Sequence, residues 1–214
     1  MKPIDFSSWE RREAYTFFSG ISNPFYMVTF TQDVTGLYAY TRARGLSFYY
    51  GMIWACTRAV NDTEAFRIAL RDGKLVSLPR RKPSFTDLRP GAEQFHIVTM
   101  EAGDDPDAFC RAAAEKSRAQ TRFLDEAEES DELIYFSCLP WVELTALTNE
   151  RDLSAPGARD DSIPRIAWGK YREESGRKLL GLSMELNHRF IDGLHIGRFA
   201  EALGACLEDL DAER

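Results

Sequence analysis

The chain has 214 residues, 44% hydrophobic and 12% aromatic, which is enough for one sizeable core, so we expect a single domain over 1–214. A net charge of −7 and a pI of about 5.1 give no electrostatic footprint for nucleic acid or an anionic membrane. The first residues are too polar for a signal peptide, and no run of about 18 apolar residues occurs, so a cytoplasmic protein is expected.

Four cysteines are spread along the chain, at Cys56, Cys110, Cys138 and Cys206. They lie mostly in apolar runs, and no two of them form a CxxC pair. This pattern predicts buried free thiols in a reducing cytoplasm rather than a disulfide framework or a zinc site.

The first third of the chain alternates between helical and strand-like patterns. Capping residues, aromatic and β-branched runs and breaking glycines set the limits of each element. The pattern predicts a helix over Trp9–Phe18 opened by a capping box from Ser7 to Glu10, a strand over Phe25–Asp33, a helix from Asp33 or Thr35 to about Arg44 stopped by Gly45, and a helix from Ser47 to Asp62.

The middle of the chain carries shorter elements. Asp72-Gly73 predicts the turn of a β-hairpin between Phe66–Leu70 and Leu75–Leu78. Further along, the pattern predicts strands over Phe95–Met100, Leu133–Phe136 and Ile163–Tyr171, a helix from Pro106 to about Arg122, and loops over Leu78–Ser84 and Ser154–Ser162. Helices and strands alternate irregularly, which favours a mixed α/β (α+β) domain.

The last stretch places a histidine at a junction between two elements. Alternating apolar residues from Leu180 to Leu186 predict a buried strand that ends at Asn187-His188, and a helical pattern runs from Leu194 to about Leu210. An imidazole there would be held rigidly and partly dry. Its ordinary pKa of about 6.5 suits a general base, although a hydrogen-bonded histidine without a catalytic role is the alternative.

A metal site is a further alternative for the same stretch. His188, Asp192 and His195 would share one face of a continuous helix and could bind a metal. Gly193 and the strand-like run before His188 argue against a continuous helix, so no metal is expected.

The spacing His188-x-x-x-Asp192-Gly193 resembles the HxxxDG signature of acyltransferases that work on coenzyme A thioesters. Further stretches, in the same order, resemble the chloramphenicol acetyltransferase family. They are Trp9-Glu-Arg-Arg-Glu13, Ser137-Cys-Leu-Pro-Trp141, Lys170-Tyr171 and Gly193-Leu-His-Ile-Gly-Arg-Phe199. Together they cover nearly the whole chain.

This resemblance implies a two-layer sandwich of a mixed β-sheet with helices, and a homotrimer with active sites at the subunit boundaries. It implies transfer of acetyl from acetyl-CoA to a hydroxyl of chloramphenicol, which would inactivate the antibiotic. By the same likeness His188 is the general base, Ser137 donates a hydrogen bond to the oxyanion, and Asp192 pairs with Arg11 in a structural salt bridge.

Both substrates require binding residues. Aromatic and basic candidates for coenzyme A are Tyr171, Trp141, Tyr49 and Lys170, and those for an apolar acceptor pocket are Phe25, Tyr26 and Phe136. The basic run Arg80-Arg81-Lys82 could reach phosphates, but a solvated loop is the simpler interpretation.

The sequence also departs from the family pattern. Asn187 stands where many members have a second histidine, Ala167 aligns with a threonine near the reacting centre, and Ser47 aligns with a lysine near the coenzyme A phosphate. Asn23–Met27 differs from the acceptor-pocket stretch of the resistance enzymes. These departures leave two alternatives open, namely another hydroxylated acceptor, or a binding protein without turnover.

Overall fold

The fold is known from a computed structural model, which describes residues 1–212. The helices are α1 (Arg12–Ser19), α2 (Thr35–Arg44), α3 (Phe48–Asp62), α4 (Pro106–Ala119) and α5 (Gly193–Ala212). The strands are β1 (Lys2–Pro3), β2 (Phe25–Asp33), β3 (Ile68–Arg71), β4 (Lys74–Ser77), β5 (Lys82–Asp87), β6 (His96–Thr99), β7 (Leu133–Leu139), β8 (Arg165–Gly169), β9 (Arg172–Glu174) and β10 (Arg177–Asn187).

One mixed sheet organises the structure. Its strand order is β2-β10-β8-β7-β5-β6, and β9 pairs with the first part of β10. The pairs β8–β7 and β7–β5 are parallel and the other pairs are antiparallel. A second sheet, β1-β4-β3, contains the predicted hairpin, whose turn residues Asp72 and Gly73 both have positive φ.

Helices α2 to α5 form a second layer on one face of the main sheet, as expected for a two-layer α/β sandwich. Helix α3 is central, because it packs against α2, α4 and α5 as well as β5 and β7. On β10 the alternating residues Leu180, Leu182, Met184 and Leu186 are all buried in this core, so the predicted alternation is confirmed.

The opposite face of β8 and β10 is covered by the segment Val142–Arg151. The Ser183 hydroxyl donates to the Leu147 carbonyl at 2.8 Å and accepts from the Leu147 N–H at 3.1 Å. The Glu185 carboxylate accepts from the Asn149 N–H at 2.9 Å. Both faces of β10 are therefore buried, which holds the end of this strand rigid.

Several predicted boundaries are confirmed. Strand β2 has the predicted limits, α2 ends before Gly45 in the left-handed conformation, and the Ser47 hydroxyl accepts from the Tyr50 N–H at the start of α3. The four cysteines are unpaired, and Cys56 and Cys110 are buried.

Two local predictions are wrong. The capping box is absent, because the Ser7 hydroxyl donates to the Asp5 carboxylate at 2.8 Å and α1 begins only at Arg12. The predicted loop Leu78–Ser84 runs into β5, where Pro83 occupies the second position and so lies near the strand's start, where proline is tolerated.

The basic run is not a solvated loop. Arg81 is buried, and its guanidinium donates to the carbonyl oxygens of Phe66, Ile68, Asp131, Leu133 and Ser162. Lys82 pairs with Glu128 at 2.9 Å, and the exposed Arg80 with Asp104 at 3.2 Å. With its donors committed to backbone carbonyls, Arg81 is not available to bind phosphate.

Candidate active site

His188 lies directly after β10, at the edge of the sheet next to β2. Its N–H donates to the Pro24 carbonyl at 2.8 Å, which ties it to the chain entering β2. Its imidazole stacks on the Phe18 ring with 3.8 Å between ring centroids, and the Tyr26 ring lies 4.3 Å away. The ring is therefore held between two aromatic side chains and is partly removed from water.

The surroundings favour the neutral imidazole. Burial lowers the pKa of His188 below 6.5, the positive charge of Arg11 lowers it further, and Asp192 opposes this only in part. Within residues 1–212 no protein group hydrogen-bonds a ring nitrogen of His188. A neutral imidazole with an unoccupied ring nitrogen can accept a proton from a substrate hydroxyl.

The predicted salt bridge between Arg11 and Asp192 is present. One guanidinium nitrogen of Arg11 pairs with the Asp192 carboxylate, and Nη2 donates to the His188 carbonyl at 3.1 Å. Burial alone would raise the pKa of Asp192, but Arg11, His195 and its hydrogen bonds hold it below 3.8. Asp192 thus fixes the turn after His188 and does not hydrogen-bond the imidazole.

Asp192 also caps α5. Its Oδ1 accepts from the Leu194 N–H at 3.2 Å, and its own N–H donates to Nδ1 of His195 at 3.1 Å. Nδ1 of His195 also lies 3.0 Å from Oδ1 of Asp192, and burial lowers the pKa of His195. These reciprocal contacts resemble a capping box in which His195, the third residue of α5, takes the place of the usual glutamate or glutamine.

Ser137 lies inside β7 rather than after its end, because the strand continues to Leu139. Its register partners across the sheet are Ala167 and then Ser183, which places it on the face away from the helices. A cleft of about 960 Å³ opens there, lined among others by Ser137, Tyr49, Tyr135 and Trp141.

A single chain does not bring Ser137 and His188 together. His188 is five residues beyond Ser183, the position on β10 that is level with Ser137 two strands away. With a rise of about 3.3 Å per residue and about 4.8 Å between strands, the two backbones are about 19 Å apart. Within one chain, the two residues therefore do not face a common reacting atom.

The coenzyme A candidates fall into two groups. Tyr49 and Trp141 line the cleft; Tyr49 donates its hydroxyl to the Thr86 carbonyl at 2.5 Å, and Trp141 is 71% exposed. Lys170 is exposed, and the Tyr171 ring packs edge-on against Tyr38 at 5.5 Å, outside the cleft lining.

The acceptor candidates are also separated. Tyr26 lies beside His188, and burial raises its pKa to about 12. Phe25 points to the other face, where the Arg151 guanidinium covers its ring at 3.5 Å. Phe136 borders the cleft, but its ring is 2% exposed and packs on Trp168, so it offers little surface to an acceptor.

Sequence reasoning missed several side chains at the site. Phe18 was assigned only to a helix, although it forms the stacking surface for His188. Tyr135, on the open face beside Ser137, donates to Glu129 at 2.9 Å, and the Arg165 guanidinium lies 5.7 Å from its ring. The alternation of β7 could have identified Tyr135, since residues two apart share a face.

No metal centre is found among the described residues: no three His, Cys, Asp or Glu side chains lie close enough to hold an ion. His188 and His195 are not on one helix, because β10 ends at Asn187 and α5 begins at Gly193. None of the helices within 1–212 combines the length and apolar composition needed for a membrane span.

Comparisons with known proteins agree with this geometry. The family model for chloramphenicol acetyltransferase matches residues 1–204. The chain is 31% identical over 212 residues to a chloramphenicol acetyltransferase of Streptomyces acrimycini, covering 97% of this chain and 94% of that protein. It is 28% identical over 203 residues to chloramphenicol acetyltransferase 2 of Escherichia coli, covering 94% and 93%.

Solved structures show the same fold. A chloramphenicol acetyltransferase structure superposes with a TM-score of 0.83 at 25% identity, covering 96% of this chain and 99% of that one. The cubic core of the pyruvate dehydrogenase multienzyme complex gives 0.68 at 19% identity, covering 99% and 98%, and shows the fold alone. From its sequence and its fold, the chain belongs to the chloramphenicol acetyltransferase family.

Proposed function

We propose that the protein is an acetyl-CoA-dependent O-acetyltransferase that acetylates the primary hydroxyl of chloramphenicol. The observation that carries this proposal is the His188 imidazole, which is kept neutral and held between Phe18 and Tyr26. In the reaction His188 takes the hydroxyl proton, the acceptor oxygen forms a bond to the acetyl carbon, and the bond to sulphur breaks. The proton then passes to the departing thiolate, which gives CoA thiol and the acetyl ester.

Ser137 is the proposed oxyanion donor. It lies on the open face of β7 within the cleft, where its hydroxyl can donate to the oxygen of the tetrahedral intermediate. One such donor contributes about 2.7–4 kcal/mol. Ala167, its neighbour on β8, brings no second hydroxyl to that position.

Acetyl-CoA is the proposed acetyl donor. Tyr49 and Trp141 in the cleft offer aromatic surface to it, and Lys170 and Tyr171 offer a charge and a ring near the end of β8. Tyr26 is the proposed acceptor contact, because its ring lies next to the base, whereas Arg151 covers the Phe25 ring and the Phe136 side chain is buried. No metal takes part in this proposal.

A homotrimer is the proposed assembly, with each active site formed by two subunits. The separation of about 19 Å between Ser137 and His188 supports this, because one chain alone cannot place both at the reacting centre. In this arrangement His188, Phe18 and Tyr26 come from one subunit, and the Ser137 cleft comes from the next. Unpaired cysteines are consistent with a reducing compartment, and we place the enzyme in the cytoplasm.

The polar side chains on one wall of the cleft favour an alternative acceptor in place of chloramphenicol. Arg165, Tyr135 and Glu129 lie on the same side as Ser137, and Asp87 accepts a hydrogen bond from Tyr50 there. Such a wall suits a hydroxylated metabolite with its own polar groups better than an apolar ring. The mechanism would be the same, and only the acceptor would change.

The test is a thiol-release assay with acetyl-CoA and chloramphenicol, comparing the wild type with His188→Ala. We expect turnover in the wild type and a fall of about 100- to 10,000-fold in the variant, the usual contribution of a general base. Circular dichroism establishes that the variant is folded.

A panel of polar alcohols, run in parallel, distinguishes the two acceptors. Turnover of a panel member well above that of chloramphenicol would assign the second acceptor. No thiol release with chloramphenicol or with any alcohol of the panel would favour a binding protein without turnover. Release that survives the substitution would refute His188 as the base.

A further inference from the structure

The two residues that flank His188 carry buried polar side chains. Asn187 is 4% exposed and Arg189 is 6% exposed, and the hydrogen bonds of both side chains go to groups other than the imidazole. Burying an amide and a guanidinium is costly unless their hydrogen bonds are satisfied. Their contacts therefore indicate what the chain gains by placing them there.

Asn187 fastens the end of β10 to the loop before β8. Its Nδ2 donates to the carbonyl oxygens of Arg159 and Asp161, both at 2.9 Å. Its Oδ1 accepts from the Arg189 N–H at 3.1 Å. All three hydrogen bonds involve backbone atoms. One of these atoms is next to His188, and the other two belong to the facing loop.

Arg189 joins that loop to helix α1. Nη1 donates to the Asp160 carboxylate at 2.5 Å and to the Arg159 carbonyl at 3.0 Å. Nε donates to the Ser19 hydroxyl at 3.0 Å, and Nη2 donates to the Tyr15 hydroxyl. A single guanidinium therefore connects the turn after the base, the loop and the last turn of α1.

This connection reaches the imidazole through Phe18. Phe18 precedes Ser19 on α1 and stacks on the His188 ring at 3.8 Å. Arg159 strengthens the link by donating to the Ser19 carbonyl at 2.6 Å. A shift of α1 would therefore move the ring that supports the base.

We propose that Arg189, assisted by Asn187, is a positioning residue for the base His188, acting through the backbone on either side of it and through the α1 helix that supplies Phe18. This inference rests on the proposed function, because it takes His188 as the base. Arg189 never contacts substrate in this scheme. Its effect is to keep the imidazole at one angle and one depth.

The test replaces Arg189 by an uncharged side chain of similar length, Arg189→Met. We expect kcat per folded site to fall about 10- to 100-fold, since a misplacement of about 1 Å can cost about 100-fold. The KM for acetyl-CoA should stay within about twofold, because the coenzyme site is not touched. Tyr15→Phe, which removes one acceptor and keeps the ring, should give a smaller fall in the same direction.

A second measurement does not depend on the acceptor. The chain has 3 histidines, so the His188 ring signal can be followed by NMR titration. In Arg189→Met we expect its pKa to rise toward 6.5, because the ring loses its fixed place against Phe18. Arg71→Met is the matched control, since it removes the ion pairs of Arg71 with Asp131 and Glu132, remote from His188, and should change neither kcat nor the titration.

A lower melting temperature in Arg189→Met and Tyr15→Phe, with kcat per folded site and the His188 titration unchanged, would overturn the inference and leave Arg189 a purely structural residue. The failure of the proposed function would be recognised differently, by turnover that survives His188→Ala. The NMR titration would still decide whether Arg189 positions the ring in that case.

Discussion

The surroundings of the His188 ring suit the role of base proposed for it. Phe18 and Tyr26 exclude water from its faces, while Arg11 adds a positive charge nearby. Both effects disfavour the imidazolium, so the proton-accepting form dominates at neutral pH. Asp192 opposes them only in part, because its carboxylate is paired with Arg11.

The pH profile follows from this shift. Because the pKa of His188 lies below 6.5, kcat/KM should fall as the pH drops, with an inflection below 6.5, and should be level by about pH 7. The measurement is kcat/KM from pH 5 to 8, with circular dichroism at each pH to establish folding. An inflection at or above 6.5 would mean that the imidazole is solvated in the working enzyme.

The Arg11–Asp192 pair illustrates what could be read from single residues. The resemblance implied the pair, and the structure contains it. The Asp192 side chain is 37% exposed, so breaking the pair should cost less than the about 3–5 kcal/mol of a fully buried pair. The stacking of Phe18 on His188 could not be foreseen, because nothing local to a short amphipathic helix fixes which ring it covers.

Among the helices and strands, long and regular patterns of apolar residues predicted the element correctly. Patterns interrupted by proline or charged residues did not. Strand β2 and helices α2 and α3 were identified because apolar spacing and caps agreed. Strand β5 was missed because Pro83 and a basic run precede its apolar centre. Its place in the sheet is set by pairing with β6 and β7, which are distant in sequence.

The segment Val142–Arg151 packs closely on two glycines of the sheet, one of which is Gly181. A larger side chain there should therefore move the segment. A Cβ at Gly181 would lie 2.5 Å from the Leu144 carbonyl oxygen, so Gly181→Ala must displace the segment that follows Trp141. We expect the KM for acetyl-CoA to rise about tenfold, equivalent to about 1.4 kcal/mol of binding. Steady-state kinetics with acetyl-CoA as the varied substrate measure this.

Gly197→Ala is the matched control for that prediction. Gly197 lies on the exposed side of α5, and a Cβ there meets nothing within 4 Å. Its KM should remain that of the wild type. An unchanged KM in Gly181→Ala as well would show that the segment does not shape the coenzyme site.

For the whole molecule, the register of the sheet sets the distance between Ser137 and His188. His188 follows β10 directly, and Ser137 is aligned with β10 through β8. The register of these strands keeps the two residues apart. The motif spacing along the chain gave no hint of this distance, because register is set by pairing between strands. Only the family resemblance pointed to a shared site.

Mixed assemblies test the shared site. His188→Ala and Ser137→Ala should each be nearly inactive, but every trimer containing both kinds of subunit has one interface with both native residues. Equal random mixing should therefore restore about a quarter of wild-type activity, as expected for a closed ring of three. The assay is turnover after co-expression, with mass measured by light scattering and an expected value of about 73 kDa, three times the 24.4 kDa chain.

One result would contradict this assembly. Mixing the separately folded variants without subunit exchange should restore nothing, which is the control that recovery requires mixed trimers. Co-expressed mixed trimers that stay inactive would place both residues of each site in one subunit.

Cys138 directly follows Ser137 and borders the cleft into which the coenzyme's sulphur would be released. Burial raises the pKa of its thiol to about 12, and that of Cys110 to the same value, so both stay protonated. A protonated thiol neither attacks a thioester nor exchanges with disulfides at an appreciable rate. Under the proposed mechanism, the coenzyme A thiol released at each turnover would therefore meet a protonated Cys138, which would neither take up the acetyl group nor form a mixed disulfide.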